Sequence, residues 1–267
     1  MKLSIITINR NNASGLEKTI QSVINQTFND YEYIIIDGGS TDSSVDIIKQ
    51  YADKITYWVS EPDKGIYNAM NKGILKAKGE YCQFLNSGDS LVDNNILKKV
   101  FDENLQEDII YGNAFNLSKE GVRTLDNIPE KWTLITFLNE NISHPAAFIK
   151  RKLFSEISLY DESFSIISDL LFNIIAIIIN NKSYIHLPYC ISVYENWGVS
   201  SDIDKCYLEK LLFFSKSPYK RLLFQSILEL QQEIKNILNS KNYRLGQIIL
   251  KPLRKIKHIF DSTKRLK

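Results

Sequence analysis

Short apolar segments alternate with helical segments along the first hundred residues, and this alternation limits the possible folds more than any other feature of the chain. The helical segments carry apolar residues at helical spacing, as in Leu16, Ile20 and Val23. Strands that alternate with helices form βαβ units, which build a twisted, mostly parallel sheet with helices on both faces. The sequence therefore predicts an α/β fold whose first strands are Leu3 to Ile8, Tyr33 to Ile36, Ile55 to Val59 and Glu80 to Leu85.

The pattern becomes less regular after Leu97. A hairpin-type turn is predicted at Glu120-Gly121 and a buried helix over Leu170 to Ile179. From Lys205 onward the chain is predicted to be mainly helical, with a break near Ser217-Pro218. The strands predicted in this half are Asp108 to Tyr111, Asn113 to Leu117, Ala146 to Ile149, Ser183 to Leu187 and Ile191 to Tyr194, and a helix is predicted over Lys131 to Asn139.

Polar side chains stand at the carboxyl ends of the first four predicted strands. They are Thr7 with Asn9, Asp37, Asp63 and Asp89. The carboxyl ends of parallel strands share one edge of a sheet, where α/β proteins bind ligands, so these groups should converge. A hard oxygen ligand such as Asp89 can hold Mg²⁺ or Mn²⁺ against a diphosphate. The alternative is an ordinary solvated turn at each strand end.

Two glycine signatures of nucleotide-binding proteins are absent from the sequence. No GxGxxG follows the first strand, which argues against a dinucleotide enzyme, and no GxxxxGK[ST] occurs, which argues against a P-loop ATPase. A nucleotide would therefore be held by side chains and a metal.

Composition indicates a reducing compartment. The three cysteines, Cys82, Cys190 and Cys206, are too few and too widely spaced for a disulfide framework or a zinc site. The first ten residues read as a strand and not as a signal peptide, and the longest apolar run is too short to span a bilayer. We therefore expect a cytoplasmic protein.

The last 27 residues are strongly basic. Residues 241–267 contain nine lysines and arginines against one aspartate, a net charge of +8; the whole chain carries +2, so residues 1–240 carry −6. Apolar and basic residues interleave between Tyr243 and Phe260, which is typical of a helix lying on the inner, anionic face of a membrane. The alternative is a helix that packs on the body. Nucleic-acid binding is not predicted, because aromatic residues are sparse there.

Several stretches that run in order along residues 1 to about 201 carry a family resemblance. They are SIITINRN, TIQSVINQTFNDYEYIIIDGGSTDSS, SEPDKGIYNAMNKGILKAKGEYCQFLNSGD, ISHPAAF, YDESFSIISDLLF and WGVSS. As a set they resemble the family 2 glycosyltransferases, especially bacterial enzymes that build cell-surface polysaccharides such as lipopolysaccharide or capsule. The resemblance implies the glycosyltransferase A fold, a Rossmann-like sheet joined to a smaller acceptor-binding sheet. It also implies a catalytic domain over 1–201, with a nucleotide-sugar-binding half (1–100) and an acceptor-binding half (101–201), followed by a helical, basic extension (202–267).

The resemblance assigns a donor-binding role to residues of the first half. Asp37 matches an acidic motif that contacts the base and ribose, although many relatives have a second acid where this chain has Gly38. The family's Asp-x-Asp metal motif is reduced here to Asp89, because Asn86 and Gly88 stand where relatives carry acids. The donor-binding positions implied are Thr7, Asn9, Asp37, Asp63, Lys64, Asn68, Asn71 and Asn86, with Asp89 as the ligand of Mg²⁺ or Mn²⁺.

The second half carries the implied catalytic base. Asp169 matches that base, and the alternative is an N-cap for the helix beginning at Leu170. His144 matches a histidine on the acceptor side, with a structural histidine as the alternative. Trp197 begins a segment, Trp197 to Ser201, that resembles a mobile loop near the diphosphate and otherwise reads as a simple Gly-Ser turn.

The expected activity is an inverting transfer of a sugar from a nucleotide-sugar, of the UDP class, to a hydroxyl of a glycan or lipid-linked acceptor. A nucleotidyltransferase that makes sugar nucleotides is a rival, but it would need a glycine-rich basic loop after the first strand, which this chain lacks. A non-catalytic nucleotide-binding protein with a decayed site is the other rival, favoured by the acids missing at Asn86 and Gly88.

Overall fold

The parallel half of the sheet forms where the alternation predicted it. The computed structural model describes residues 1–126, 128–129, 131–195, 198, 202–216 and 219–239. Its first strands are β1 (Leu3–Asn9), β2 (Tyr31–Asp37), β3 (Tyr57–Ser60) and β4 (Tyr81–Phe84), separated by helices α1 (Ala13–Ile24), α2 (Ser44–Gln50) and α3 (Ile66–Lys76).

In the second half, two long strands each replace two predicted ones. The predicted Asp108–Tyr111 and Asn113–Leu117 form one strand, and the predicted Ser183–Leu187 and Ile191–Tyr194 form another. The register between these two strands shifts on both sides of Asn113 and leaves Pro188, Tyr189 and Ile191 unpaired. The elements are β5 (Ser90–Leu91), α4 (Ile96–Asp102), β6 (Ile109–Leu117), β7 (Arg123–Leu125), α5 (Leu134–Asn139), β8 (Ala147–Lys150), α6 (Leu153–Glu156), α7 (Ser168–Asn173), a π-helical turn (Ile174–Ile179), β9 (Tyr184–Glu195), α8 (Ile203–Ser215) and α9 (Tyr219–Asn239).

The nine strands of the described residues form one sheet of order β3-β2-β1-β4-β8-β6-β9-β5, with β7 paired to β6. Strands β1 to β4 are mutually parallel, β8 runs antiparallel between β4 and β6, and β9 is parallel to β6. The predicted hairpin turn at Glu120-Gly121 is confirmed by the antiparallel pairing of β6 with β7. Six of these nine strands, β1 to β4, β6 and β9, run in one direction, so the sheet is mostly parallel as predicted, although four of its eight strand pairings are antiparallel.

Helices cover both faces of this sheet. Leu3 and Ile5 of β1 share one apolar cluster with Leu16 and Ile20 of α1. Ile6 points to the opposite face, because successive side chains of a strand alternate. There it packs so closely on Gly73 of α3 that a Cβ at residue 73 would collide with its methyl group. Glycine, unfavourable inside a helix, is retained here because it lets α3 approach the sheet.

Residues 1–211 form one compact unit, and a second unit begins at Leu212. In the described part of the second unit, Phe213 stacks on Tyr219 with ring centroids 4.2 Å apart. No helix within the described ranges is long and apolar enough to cross a membrane. The predicted break at Ser217-Pro218 and the basic segment 241–267 lie outside the described residues.

Candidate active site

Helix α1 holds the turn that follows β4 through hydrogen bonds of its Thr19 side chain. Gly88 has φ +107°, a conformation that glycine adopts without strain. The hydroxyl oxygen of Thr19 accepts a hydrogen bond from the Gly88 N–H at 3.0 Å and lies 2.6 Å from the Asp89 carbonyl oxygen. The backbone N–H of Asn86 donates to Asp89 Oδ2 at 2.9 Å. The turn therefore holds the Asp89 carboxylate in a defined place.

Asp89 is a buried carboxylate, only 7% exposed. Burial raises the pKa of Asp89 to about 7, and the nearby Glu195 charge acts in the same direction, whereas the Asn86 N–H and the Lys18 ammonium oppose it. A carboxylate that is costly to ionise in this environment is stabilised by a cation beside it.

A single imidazole lies between Asp89 and Asp169. His144 Nε2 is 3.0 Å from Asn86 Nδ2 and 3.8 Å from Asp89 Oδ2, and His144 Nδ1 is 3.8 Å from Asp169 Oδ2. Burial lowers the pKa of His144, which outweighs the opposing effect of the Asp169 charge. The neutral ring therefore separates the two carboxylates predicted to hold the metal and to accept the proton.

Asp169 is oriented by side chains that the sequence did not single out. Its Oδ1 lies 2.8 Å from the Tyr67 hydroxyl, and its Oδ2 accepts from Asn141 Nδ2 at 3.0 Å. Helix α7 begins two residues earlier than predicted, at Ser168 and not at Leu170, so Asp169 lies inside its first turn; the N-cap position is Ile167, without a capping side chain. The interpretation of Asp169 as a helix N-cap is therefore wrong.

Glu209 of α8 fixes the loop that leads into α7. Its Oε1 accepts from the backbone N–H and the hydroxyl of Ser165, and its Oε2 accepts from the N–H groups of Ile166 and Ile167, all between 2.6 and 3.3 Å. Burial would raise the pKa of Glu209, but these hydrogen bonds outweigh it and hold the pKa below its usual range. An ionised Glu209 thus positions the backbone immediately before Asp169.

The predicted residues Asn86, Asp89, His144 and Asp169 all line one cavity of about 740 Å³. Its lining is acidic: five carboxylates face one lysine, Lys210, among the described residues. The other acids of the lining are Asp126, Glu140 and Glu195. An anionic diphosphate would enter such a cavity only with a cation.

A second polar cluster lies at the ends of β1, β2 and β3. Asp37 is fully buried, and its carboxylate accepts hydrogen bonds of 2.6 to 2.9 Å from Asn9 Nδ2, Ser40 N, Ser40 Oγ and Ser60 Oγ. Burial would raise the pKa of Asp37, but these donors prevail and hold it below its usual range. Asp63 reaches this cluster because Gly38 has no side chain; a Cβ there would collide with the Asp63 carboxylate.

Asn68 and Asn71 serve chiefly as a tether. Asn71 is 4% exposed; its amide nitrogen donates to the Tyr160 carbonyl and to Glu162, and its oxygen accepts from the Tyr160 N–H. Asn68 Nδ2 donates to Glu162 Oε2 at 2.9 Å. The predicted donor contact by Asn71 is therefore corrected, because all its polar atoms already hold the 160–162 segment.

Thr7 and Lys64 do not belong to the lining of the cavity. Thr7 is fully buried and pairs with the Tyr33 hydroxyl at 3.0 Å, so it presents no surface to a ligand, contrary to prediction. The Lys64 side chain is exposed, while its N–H donates to Asn68 Oδ1 at 3.2 Å. Trp197, with Val199 to Ser201, falls outside the described residues; Gly198 of the same segment lines the cavity.

The residues around Asp89 fit a hard divalent cation only in part. Asn86 Oδ1 is buried and has no hydrogen-bond partner among the described residues, so this amide oxygen could act as a ligand near the Asp89 carboxylate. Within the described part of the chain, no group of three His, Cys, Asp or Glu residues is placed to hold a metal. Mg²⁺ and Mn²⁺ usually complete such oxygen sites with substrate phosphates.

Comparison with known proteins identifies the family. Residues 4–164, well over half of the chain, match "Glycosyl transferase family 2". The chain belongs to this family. A similar curated protein, the "PGL/p-HBAD biosynthesis glycosyltransferase" of Mycobacterium bovis (strain BCG / Pasteur 1173P2), is 30% identical over 222 residues, which cover 78% of this chain and 83% of the relative.

Solved structures agree on the fold of this family 2 glycosyltransferase. S. aureus TarS 1–349 in complex with UDP superposes with a TM-score of 0.60 at 18% identity, over 73% of this chain and 60% of that one. The mannosyltransferase PcManGT of Pyrobaculum calidifontis, in complex with GDP-Man and Mn²⁺, gives 0.55 at 15% identity, over 72% and 56%. The sheet is thus the Rossmann-like glycosyltransferase A fold.

Proposed function

We propose that this glycosyltransferase moves a sugar from a nucleotide-sugar of the UDP class to an acceptor hydroxyl, with inversion, in the synthesis of a bacterial surface polysaccharide. The observation that carries the proposal is the placement of Asp89 and Asp169 on either side of His144 in one cavity. In this arrangement Asp89 lies where it can serve the leaving diphosphate, and Asp169 lies apart from it, where it can serve the attacking hydroxyl.

The donor lies across the carboxyl ends of β1 to β4. The cluster of Asn9, Asp37 and Asp63 takes the nucleoside, with Lys64 beside it. Asp89 and Asn86 are the residues that would hold Mg²⁺ or Mn²⁺ beside the diphosphate, whose oxygens would supply further ligands. When bound, the cation offsets the charge that develops on the leaving group. The complex of TarS with UDP supports a donor of the UDP class, and the complex of PcManGT with GDP-Man and Mn²⁺ supports a nucleotide-sugar donor accompanied by a divalent cation.

Asp169 accepts the proton of the attacking hydroxyl. The hydrogen bond from Asn141 and the contact with Tyr67 fix the rotation of its carboxylate, which a general base requires. His144 stays neutral between the two carboxylates and lies on the acceptor side of the site. A single displacement with one base and no covalent nucleophile inverts the anomeric carbon, so an α-linked donor yields a β-linked product.

The acceptor is a glycan or a lipid-linked sugar that enters the half of the cavity formed by residues 101–211. A lipid-linked acceptor gives a use for the basic segment 241–267, which would hold the enzyme on the inner, anionic face of the cell membrane. Exposed apolar residues on α8 support this placement: Ile203 is 80% and Leu208 is 64% exposed.

A panel of UDP- and GDP-sugars tests the proposal. With Mn²⁺ present, one UDP-sugar should raise the melting temperature and be slowly hydrolysed, and EDTA should abolish both effects. Binding without any hydrolysis or transfer would favour a non-catalytic nucleotide-binding protein. A preference for GDP-sugars would correct the donor class only.

A further inference from the structure

Glu195, at the end of β9, meets the turn that carries Asp89. β5 and β9 pair antiparallel with Ser90 opposite Val193, and continuing this register by two residues places Glu195 opposite Gly88. The contact is close: Glu195 Oε2 lies 2.9 Å from the position that a Cβ of residue 88 would occupy. A carboxylate from another strand therefore fills the space where a side chain at residue 88 would begin.

The Glu195 carboxylate is held in this place by Lys18. The ammonium of Lys18 donates to the Gly88 carbonyl at 2.7 Å and contacts Glu195 Oε1 at 3.3 Å. Within the described residues, Glu195 Oε2 has no hydrogen bond, and Glu195 lines the same cavity as Asp89. One oxygen is thus anchored and the other remains available.

We infer that Glu195 supplies the second carboxylate of the cation site, in place of the acid missing at Gly88. The inference rests on the proposed function, because it concerns the divalent cation that accompanies the donor diphosphate. Two neighbouring carboxylates and the diphosphate oxygens are hard ligands, suited to Mg²⁺ or Mn²⁺. A site divided between β4 and β9 also explains why the turn alone has a single acid.

The test is the affinity for Mn²⁺ in the presence of saturating UDP, measured from the loss of the free Mn²⁺ EPR signal. Glu195→Gln should weaken it about 10- to 100-fold, the range seen when groups that support a metal site are removed. The glutamine oxygen can still accept from Lys18, so the contact between β9 and α1 survives. A purely structural role for Glu195 would therefore leave the Mn²⁺ affinity unchanged.

Glu140→Gln is the matched control, because it removes the same charge from the same cavity. Equal weakening by both variants would show a general effect of cavity charge and overturn the inference, as would wild-type affinity in Glu195→Gln. Glu195→Asp, which keeps the charge on a shorter side chain, should bind Mn²⁺ more tightly than Glu195→Gln. If the unaltered enzyme bound no Mn²⁺ with UDP, the proposed metal-dependent function would fail instead.

Discussion

Replacing Asp169 by asparagine separates its proposed role in catalysis from any role in folding. The change removes the proton acceptor and keeps the size of the side chain. Loss of a general base costs about 10²–10⁴ in rate, which corresponds to about 3 to 5 kcal/mol in the activation barrier. We therefore expect kcat to fall by that factor.

The surrounding hydrogen bonds can be rebuilt around an asparagine at residue 169. Its amide oxygen can accept from Asn141 as the carboxylate does. Its NH₂ group can donate to the Tyr67 oxygen, because the Tyr67 hydroxyl proton can turn to the Ile166 carbonyl oxygen 2.6 Å away. With every group paired, the stability cost should stay near 1 kcal/mol or below.

The assay compares three quantities in Asp169→Asn and the unaltered enzyme: kcat with donor and acceptor, UDP affinity by calorimetry, and the melting temperature. UDP affinity should change less than kcat, because the proposed nucleotide contacts lie on β1 to β4. Asp161→Asn is the control, since Asp161 is an exposed aspartate that caps the Ser163 N–H nearby. A kcat within about threefold of the unaltered enzyme, well short of the loss expected of a general base, would refute the assignment of Asp169 as the base.

Three further predictions follow from the site and the sequence. Asp89→Ala should abolish turnover and make UDP binding insensitive to Mn²⁺; near-normal metal-dependent turnover would contradict its role as a ligand. Asn71→Ala should lower stability by about 2 to 3 kcal/mol in urea unfolding, because it leaves the buried Tyr160 backbone groups unpaired; an unchanged midpoint with weakened UDP binding would instead restore its donor role. Deleting residues 241–267 should reduce sedimentation with anionic vesicles at low salt, and equal binding by both forms would exclude the basic segment as an anchor.

The sequence predicts the parallel half of the sheet well because the signal there is local. A run of apolar residues ending in polar ones defines each of β1 to β4, and the ends agree within a few residues. Strands β6 and β9 were each predicted as two strands. The irregularity inside each of them arises from the register shift in their mutual pairing, which no local sequence pattern records. Gly112 lets β9 bulge, since a Cβ there would lie 2.7 Å from the Tyr189 carbonyl oxygen.

The site could be predicted only where residue type and position coincide. Asp89 follows a buried strand, and its place at the edge of the sheet follows from the fold. Tyr67 contacts Asp169 across 102 positions of the chain, and no local pattern marks it. The same is true of Glu209, which reaches back 44 positions to Ser165. Asn71 shows the reverse error, because a polar residue near a predicted donor site proved to be a buried tether.

The tether between α3 and the 160–169 segment has a consequence for engineering. An exchange of the predicted acceptor half would place the cut near residue 100. Here that cut would divide Asp169 from Tyr67, and Tyr160 from Asn71, so the transplanted Asp169 would keep its hydrogen bond from Asn141 but lose its contact with Tyr67. A working chimera must therefore carry Tyr67, Asn68 and Asn71 together with the incoming half. The side chains of α3 therefore belong structurally with the second half of the sequence, although α3 lies in the first half.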